Sequence, residues 1–170
     1  MADGAPFIVS ALFGPEDFAW LDELRRAHFP PERNQIAAHL TLFHHLPPSV
    51  EAELRRRLAA ATRHQPKPPA MVAGIMNLGR GVALRIESPV LQSIREELAS
   101  AFTGLLTPQD QAGWRPHVTI QNKVTPEEAR TLREGMVASF RARPLEIAGL
   151  AAWHYRGGPW ELLSRHPFAG

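Results

Sequence analysis

Residues 7–13 form a short run rich in Ile, Val and Phe, the pattern of a buried strand. Gly14-Pro15-Glu16-Asp17 reads as a helix start, with Pro in the first turn and two acids against the positive end of the dipole. Phe18, Leu21 and Leu24 supply that helix with one apolar stripe, and His28-Phe29-Pro30-Pro31 ends it. The pattern then predicts a strand over 36–43 and a helix over 49–62. That helix turns Val50, Leu54 and Leu58 inward and leaves Arg55, Arg56 and Arg57 on a solvated face. Residues 64–69 are rich in breakers. Strands over 70–78 and 81–87 flank Gly79-Arg80-Gly81, a hairpin signature. A third helix is predicted over 89–105, with Leu91, Ile94, Leu98, Phe102 and Leu105 at helical spacing. Residues 107–115 are polar and irregular, and a strand follows over 117–122. Thr125-Pro126-Glu127-Glu128 is a capping box that opens a helix to about residue 140. Residues 145–155 and 160–164 read as a second hairpin around Arg156-Gly157-Gly158-Pro159.

This order contains a repeat. A shift of 78 positions places His39 on His117, Thr41 on Thr119, Pro48 on Pro126, Leu54 on Leu132, Arg55 on Arg133 and Ala60 on Ala138. Apolar positions match too: Leu40 with Val118, Leu42 with Ile120, Leu58 with Met136. One offset thus aligns two strands and the two helices after them. The reading is an internally duplicated α+β fold, a single domain over 1–170 with two lobes built from about 1–78 and 79–170.

Composition adds exclusions. The 170 residues contain no cysteine, which removes disulfides, Cys zinc sites and thiol nucleophiles. Lys+Arg 19 against Asp+Glu 17 leaves a net charge of only +2, and the only lysines are Lys67 and Lys123. A non-specific coat on nucleic acid is not expected of such a chain. The apolar run at 7–13 is too short to span a bilayer and follows Asp3 rather than a basic segment. The expectation is a cytoplasmic monomer with no membrane contact. Eight histidines are more suggestive, because imidazole titrates near neutrality.

Two of the eight stand in repeat register, in His39-Leu40-Thr41-Leu42 and His117-Val118-Thr119-Ile120. A strand period of two puts His and Thr on one face and the apolar pair on the other. Brought together across a cleft, two imidazoles form an acid–base pair for a phosphodiester. One takes a proton from the attacking oxygen and the other protonates the leaving oxygen. The threonine hydroxyls would donate to non-bridging oxygens. No metal or other cofactor is required. Arg115 and Lys123 would add positive charge on either side of the second motif. Simple alternation also puts His45 on the His39 face, against the plainer reading of a loop or strand-end histidine. His28, His64 and His166 sit at element ends and read as surface. Trp153-His154-Tyr155-Arg156 with Trp160 fits either base stacking or hairpin packing.

Paired motifs of this kind about half a chain apart resemble the 2H phosphoesterase superfamily, and within it the bacterial 2′-5′ RNA ligase and cyclic phosphodiesterase family. The likeness covers nearly the whole chain. It is carried by Phe7-Ile8-Val9-Ser10-Ala11-Leu12, His39-Leu40-Thr41-Leu42-Phe43 and Pro116-His117-Val118-Thr119-Ile120. The resemblance implies a bilobal fold, with two antiparallel sheets lining a central groove and helices packed outside. It implies opening of 2′,3′-cyclic phosphates of RNA ends or nucleotides to 2′-phosphates, and in some members 2′-5′ joining of RNA. It casts His39 as the proton donor to the leaving 3′ oxygen and His117 as the base, with Thr41 and Thr119 on the phosphate. Phe43, Arg115, Lys123 and Tyr155 are further candidates for substrate contact. The chain departs from many relatives at Gln121-Asn122-Lys123, where they carry Arg.

Rival functions remain distinguishable. A metal hydrolase using His39, His44, His45 and His117 lacks an HExxH motif and an acidic neighbour for the first cluster. A non-catalytic RNA or nucleotide binder would lose affinity, not only rate, with either motif histidine. A phosphodiesterase of another linkage, such as 2′-5′ oligoadenylate or ADP-ribose cyclic phosphate, would use the same pair.

Overall fold

The computed structural model describes residues 4–170. The elements in chain order are Phe7–Phe13 (β1), Pro15–His28 (α1), Leu40–Leu46 (β2), Glu51–Thr62 (α2), Met71–Asn77 (β3), Val82–Glu87 (β4) and Pro89–Ala101 (α3). There follow Pro108–Gln111 (α4), His117–Gln121 (β5), Pro126–Ser139 (α5), Arg143–Pro144 (β6), Ile147–His154 (β7) and Glu161–Pro167 (β8). The predicted cap at Thr125 operates, its Oγ1 accepting from Glu128 N–H, and Ser88, not read as a cap in the sequence, does the same for α3, its Oγ accepting from Leu91 N–H. Gly79, at φ 82°, turns the β3–β4 hairpin in a conformation that favours glycine.

Some boundaries differ from expectation. β2 starts at Leu40 rather than 36, because the chain before it is tied to α1: Ala38 N–H donates to Asp22 Oδ1 at 3.0 Å. α3 stops at Ala101, and Gly104, at φ 87°, turns the chain away from the helix. Leu105, expected inside, is therefore exposed. The irregular stretch after it contains α4, and β8 runs on to Pro167.

Among the described residues, eight strands form two four-stranded sheets in the orders β2-β1-β7-β8 and β5-β4-β3-β6, all pairs antiparallel. The α+β expectation thus holds. The halves at 1–78 and 79–170 do not each build a sheet, however. β3, from the first half, joins the second sheet, and β7 and β8, from the second half, complete the first. The repeat offset carries β3 onto β7, so these two equivalent strands are exchanged between the halves, and β8 extends the first sheet beyond β7. The apolar faces meet in one buried cluster that draws on both sheets, from Val9, Leu40 and Leu150 to Val72, Leu84 and Ile120. At roughly 25 cal/mol per Å², this shared burial is the main force holding the lobes together. Among the described residues, no helix is long and apolar enough to cross a membrane.

Candidate active site

Both motif strands are edges: β2 ends one sheet and β5 ends the other. Each carries a one-residue step in register directly after its threonine. Ser10 pairs with Thr41 but Val9 with Phe43, so Leu42 is the extra residue. Ala83 pairs with Thr119 but Val82 with Gln121, so Ile120 is the extra residue. Leu42 and Ile120 are equivalent under the repeat. Such bulges re-aim the residues that follow and leave ladder groups unpaired.

Side chains from other elements take up the carbonyls along these edges. Trp114 Nε1 donates to Thr41 O at 3.0 Å, and Arg95 Nε donates to Leu42 O at 3.1 Å. Arg25 Nη1 donates to Thr119 O at 3.0 Å. Both arginines are buried, and each lies over an aromatic ring, Arg25 on Phe29 and Arg95 on Phe43. The edge N–H groups of His44 and His45 are met by Asp110, itself 1% exposed. Burial alone would favour the neutral acid of Asp110. The His44 ring N–H, first, and the backbone N–H groups of His44 and His45 outweigh it and hold the carboxyl below its usual range.

The two strands line a groove of about 290 Å³ that contains His39, Thr41, His117 and Thr119. The two imidazoles are held identically. His39 Nδ1 lies 2.9 Å from Ala37 O, and His117 Nδ1 lies 2.7 Å from Arg115 O. A carbonyl only accepts, so Nδ1 carries the proton in both rings and Nε2 is left for a substrate. The Trp160 ring stands edge-on to His39, with centroids 4.6 Å apart. Burial pushes His39 down to about 4, against the help of the Ala37 carbonyl and with the charges of Arg25, His117 and His44 adding to the effect. At neutral pH His39 is therefore the uncharged base form.

Of the other candidates, Arg115 lines the groove and is exposed. Phe43 does not line it. The bulge turns it inward, where it is 1% exposed beneath Arg95. Lys123, at φ 63°, and Tyr155 lie apart, in a shallow depression shared with Arg25 and Phe29. The groove histidine after the first motif is His44, not His45, because the same register step breaks simple alternation. Trp160, read from the sequence as fitting either base stacking or hairpin packing, lines the groove beside His39, whereas Arg95, Asp110 and Trp114 were not singled out for this site by the pattern. Their only signal was an aromatic or charged residue in a polar loop or on a helix face. Among the described residues, no three histidine or acidic side chains are grouped to hold a metal ion.

Residues 13–159 match the family described as the 2′-5′ RNA ligase superfamily. The fold is similar to that of Escherichia coli LigT complexed with 3′-AMP, at 17% identity and a TM-score of 0.61 over 99% of this chain and 100% of that one. LigT complexed with NADP+ matches at 20% identity and a TM-score of 0.61, over 99% of each chain. The protein TT0787 of Thermus thermophilus matches at 16% identity and a TM-score of 0.62, over 97% of this chain and 98% of that one. At these identities the likeness is one of fold. No curated protein matches the sequence at a significant level.

Proposed function

The chain belongs to the 2′-5′ RNA ligase superfamily, and from that premise we propose that it is a phosphodiesterase opening 2′,3′-cyclic phosphates of RNA ends or nucleotides to 2′-phosphates. The observation that carries this reading is the pair of identically oriented imidazoles, each beside a threonine, in one groove. Crystal structures of E. coli LigT holding 3′-AMP and NADP+ support a nucleotide-sized ligand for the fold.

In the proposed step, water attacks phosphorus in line with the P–O3′ bond. One imidazole Nε2 takes the proton of the water. The other donates its Nε2 proton to O3′ as the bond breaks, leaving a 3′-hydroxyl and a 2′-phosphate. Thr41 and Thr119 donate to the non-bridging oxygens, whose charge grows in the transition state. The same displacement, with an RNA 5′-hydroxyl in place of water as the attacking group, would account for 2′-5′ joining.

The pair needs one neutral and one protonated ring. His39 is the neutral one in the free groove, so His39 fits the base and His117 the acid. This reverses the division implied by the resemblance. Each role is worth typically 10²–10⁴-fold in rate. His39→Ala and His117→Ala are each expected to lower kcat on 2′,3′-cyclic AMP by at least about 10²-fold, with affinity for adenosine 2′-phosphate largely kept. Turnover is expected to survive exhaustive chelation. The deciding experiment is a panel of cyclic mononucleotides, cyclic-ended oligoribonucleotides, 2′-5′ dinucleotides and ADP-ribose cyclic phosphate, with product regiochemistry. Folded protein that turns over none of them would remove the enzyme reading. Equal loss of affinity and rate in the two variants would favour a binder.

A further inference from the structure

The repeat gives no reason for a histidine at position 44. Its partner under the offset is Asn122, which turns back on its own backbone to accept from Lys123 N–H. His44, by contrast, stands on the groove side of β2, with 43% of its side chain exposed. Its Nδ1 lies 3.1 Å from Asp110 Oδ1. A carboxylate only accepts, so Nδ1 is a donor here and the ring has Nε2 left to offer the groove. Asp110 cannot swing away, because its two oxygens also take the N–H groups of His44 and His45. The arrangement is a carboxylate orienting an imidazole toward a cavity. Arg95, the nearby guanidinium, has its donors on Leu42 O and Asp110 O and its face on Phe43.

We propose that His44 is a third phosphate-contacting imidazole of this groove, oriented by Asp110 and donating through Nε2–H to a non-bridging oxygen of the substrate or product phosphate. The inference rests on the phosphodiester reading above and adds a residue that the paired motifs do not contain. His44 binds the phosphate; Asp110 acts through it as a positioning residue.

Two substitutions separate this role from a structural one. In His44→Asn the amide stands where Nδ1 stood, so it keeps the tie to Asp110 but loses the donor to the groove. In His44→Gln the amide reaches the position of Nε2 and restores that donor. Hydrogen bonds to charged groups are strong enough that losing one weakens binding about tenfold or more. With 2′,3′-cyclic AMP, His44→Asn is expected to raise KM about tenfold, with a smaller effect on kcat, and His44→Gln to return KM to within about threefold of the wild type. Inorganic phosphate, titrated by NMR against each protein, is expected to bind in the same order. Thermal melts establish that both variants fold. The reverse order, with Asn normal and Gln weak, would assign His44 to structure alone and overturn the proposal. Equal loss in both, unchanged binding in both, or no phosphate binding by the wild type would overturn it as well. If the wild type binds phosphate but turns over no cyclic phosphate, the catalytic reading fails separately, and the phosphate titration still decides the role of His44.

Discussion

A neutral imidazole in a groove proposed to take a phosphate is under tension, and His39 shows how the surroundings set it. Trp160 and the strand beneath remove water, and neighbouring positive groups oppose a further charge. An unfolded His39 would take its proton near 6.5, but the folded one does so only near 4. Between those values the unfolded chain binds more protons, so this residue costs the fold stability as pH falls from about 6.5 through about 4. Replacing His39 with Gln removes that linkage. Urea titrations at a series of pH values are expected to show the wild type losing stability relative to His39→Gln across this window; parallel curves would count against it. An NMR titration of the His39 ring should find its midpoint near 4 in free protein. Added phosphate should raise it, because a nearby anion favours the charged form. A midpoint at or above 6.5 would reverse the assignment of base and acid. At this scale the motif residues were legible in the sequence, since His-x-Thr-x needs only local alternation. Phe43 and His44 were not, because one inserted residue at Leu42 reverses their faces, and nothing in the amino-acid types marks the insertion.

At the scale of elements, the same step explains why α4 exists. The bulged end of β2 presents two adjacent N–H groups on a sheet edge, and an unmet edge is both costly and adhesive. α4 has four residues, too few to hold together by its own hydrogen bonds. It is fixed because Asp110 accepts from His44 and His45, and because Arg95 Nη2 donates to Asp110 O at 2.7 Å. Pattern reading passed over this helix because its reason is tertiary: one buried carboxylate, not an apolar stripe. The helices whose start signals were legible, α1 and α5, carry them within one turn: Pro15 with Glu16 and Asp17 opens α1, and Thr125 caps α5. Asp110→Ala strips the acceptor from both edge amides and from the His44 ring. It is expected to destabilise the protein by about 3 kcal/mol, as breaking a buried hydrogen-bonded charge does. Chemical denaturation measures this directly, and a change under about 1 kcal/mol would mean that water serves the edge equally well.

Across the whole molecule, the duplication was legible but the exchange of strands was not. The offset of 78 finds β3 and β7 equivalent, yet both are apolar enough for a central position in either sheet. Which sheet each joins is decided by long-range pairing, which sequence pattern does not encode. The exchange changes how the fold must behave. Each sheet needs strands from both halves, and two buried arginines brace the lobes in reciprocal fashion. Arg25 on α1, from the first half, holds the carbonyl of Thr119 on β5, and Arg95 on α3, from the second half, holds the carbonyl of Leu42 on β2. Both anchors adjoin the motif threonines, so the brace that joins the lobes also sets the spacing of the groove. A lobe therefore cannot unfold alone. Urea unfolding followed by far-ultraviolet circular dichroism and by tryptophan fluorescence is expected to give coincident transitions, although Trp153 and Trp160 report on the first sheet and Trp114 on the loop entering β5. Arg95→Met keeps the apolar stem over Phe43 but leaves the carbonyls of Leu42 and Asp110 without this donor. It is expected to lower stability by about 2–3 kcal/mol with an unchanged denaturant slope, because the same surface is still exposed in one step. A second transition, in the wild type or in this variant, would show the lobes to be separable and the brace to be incidental.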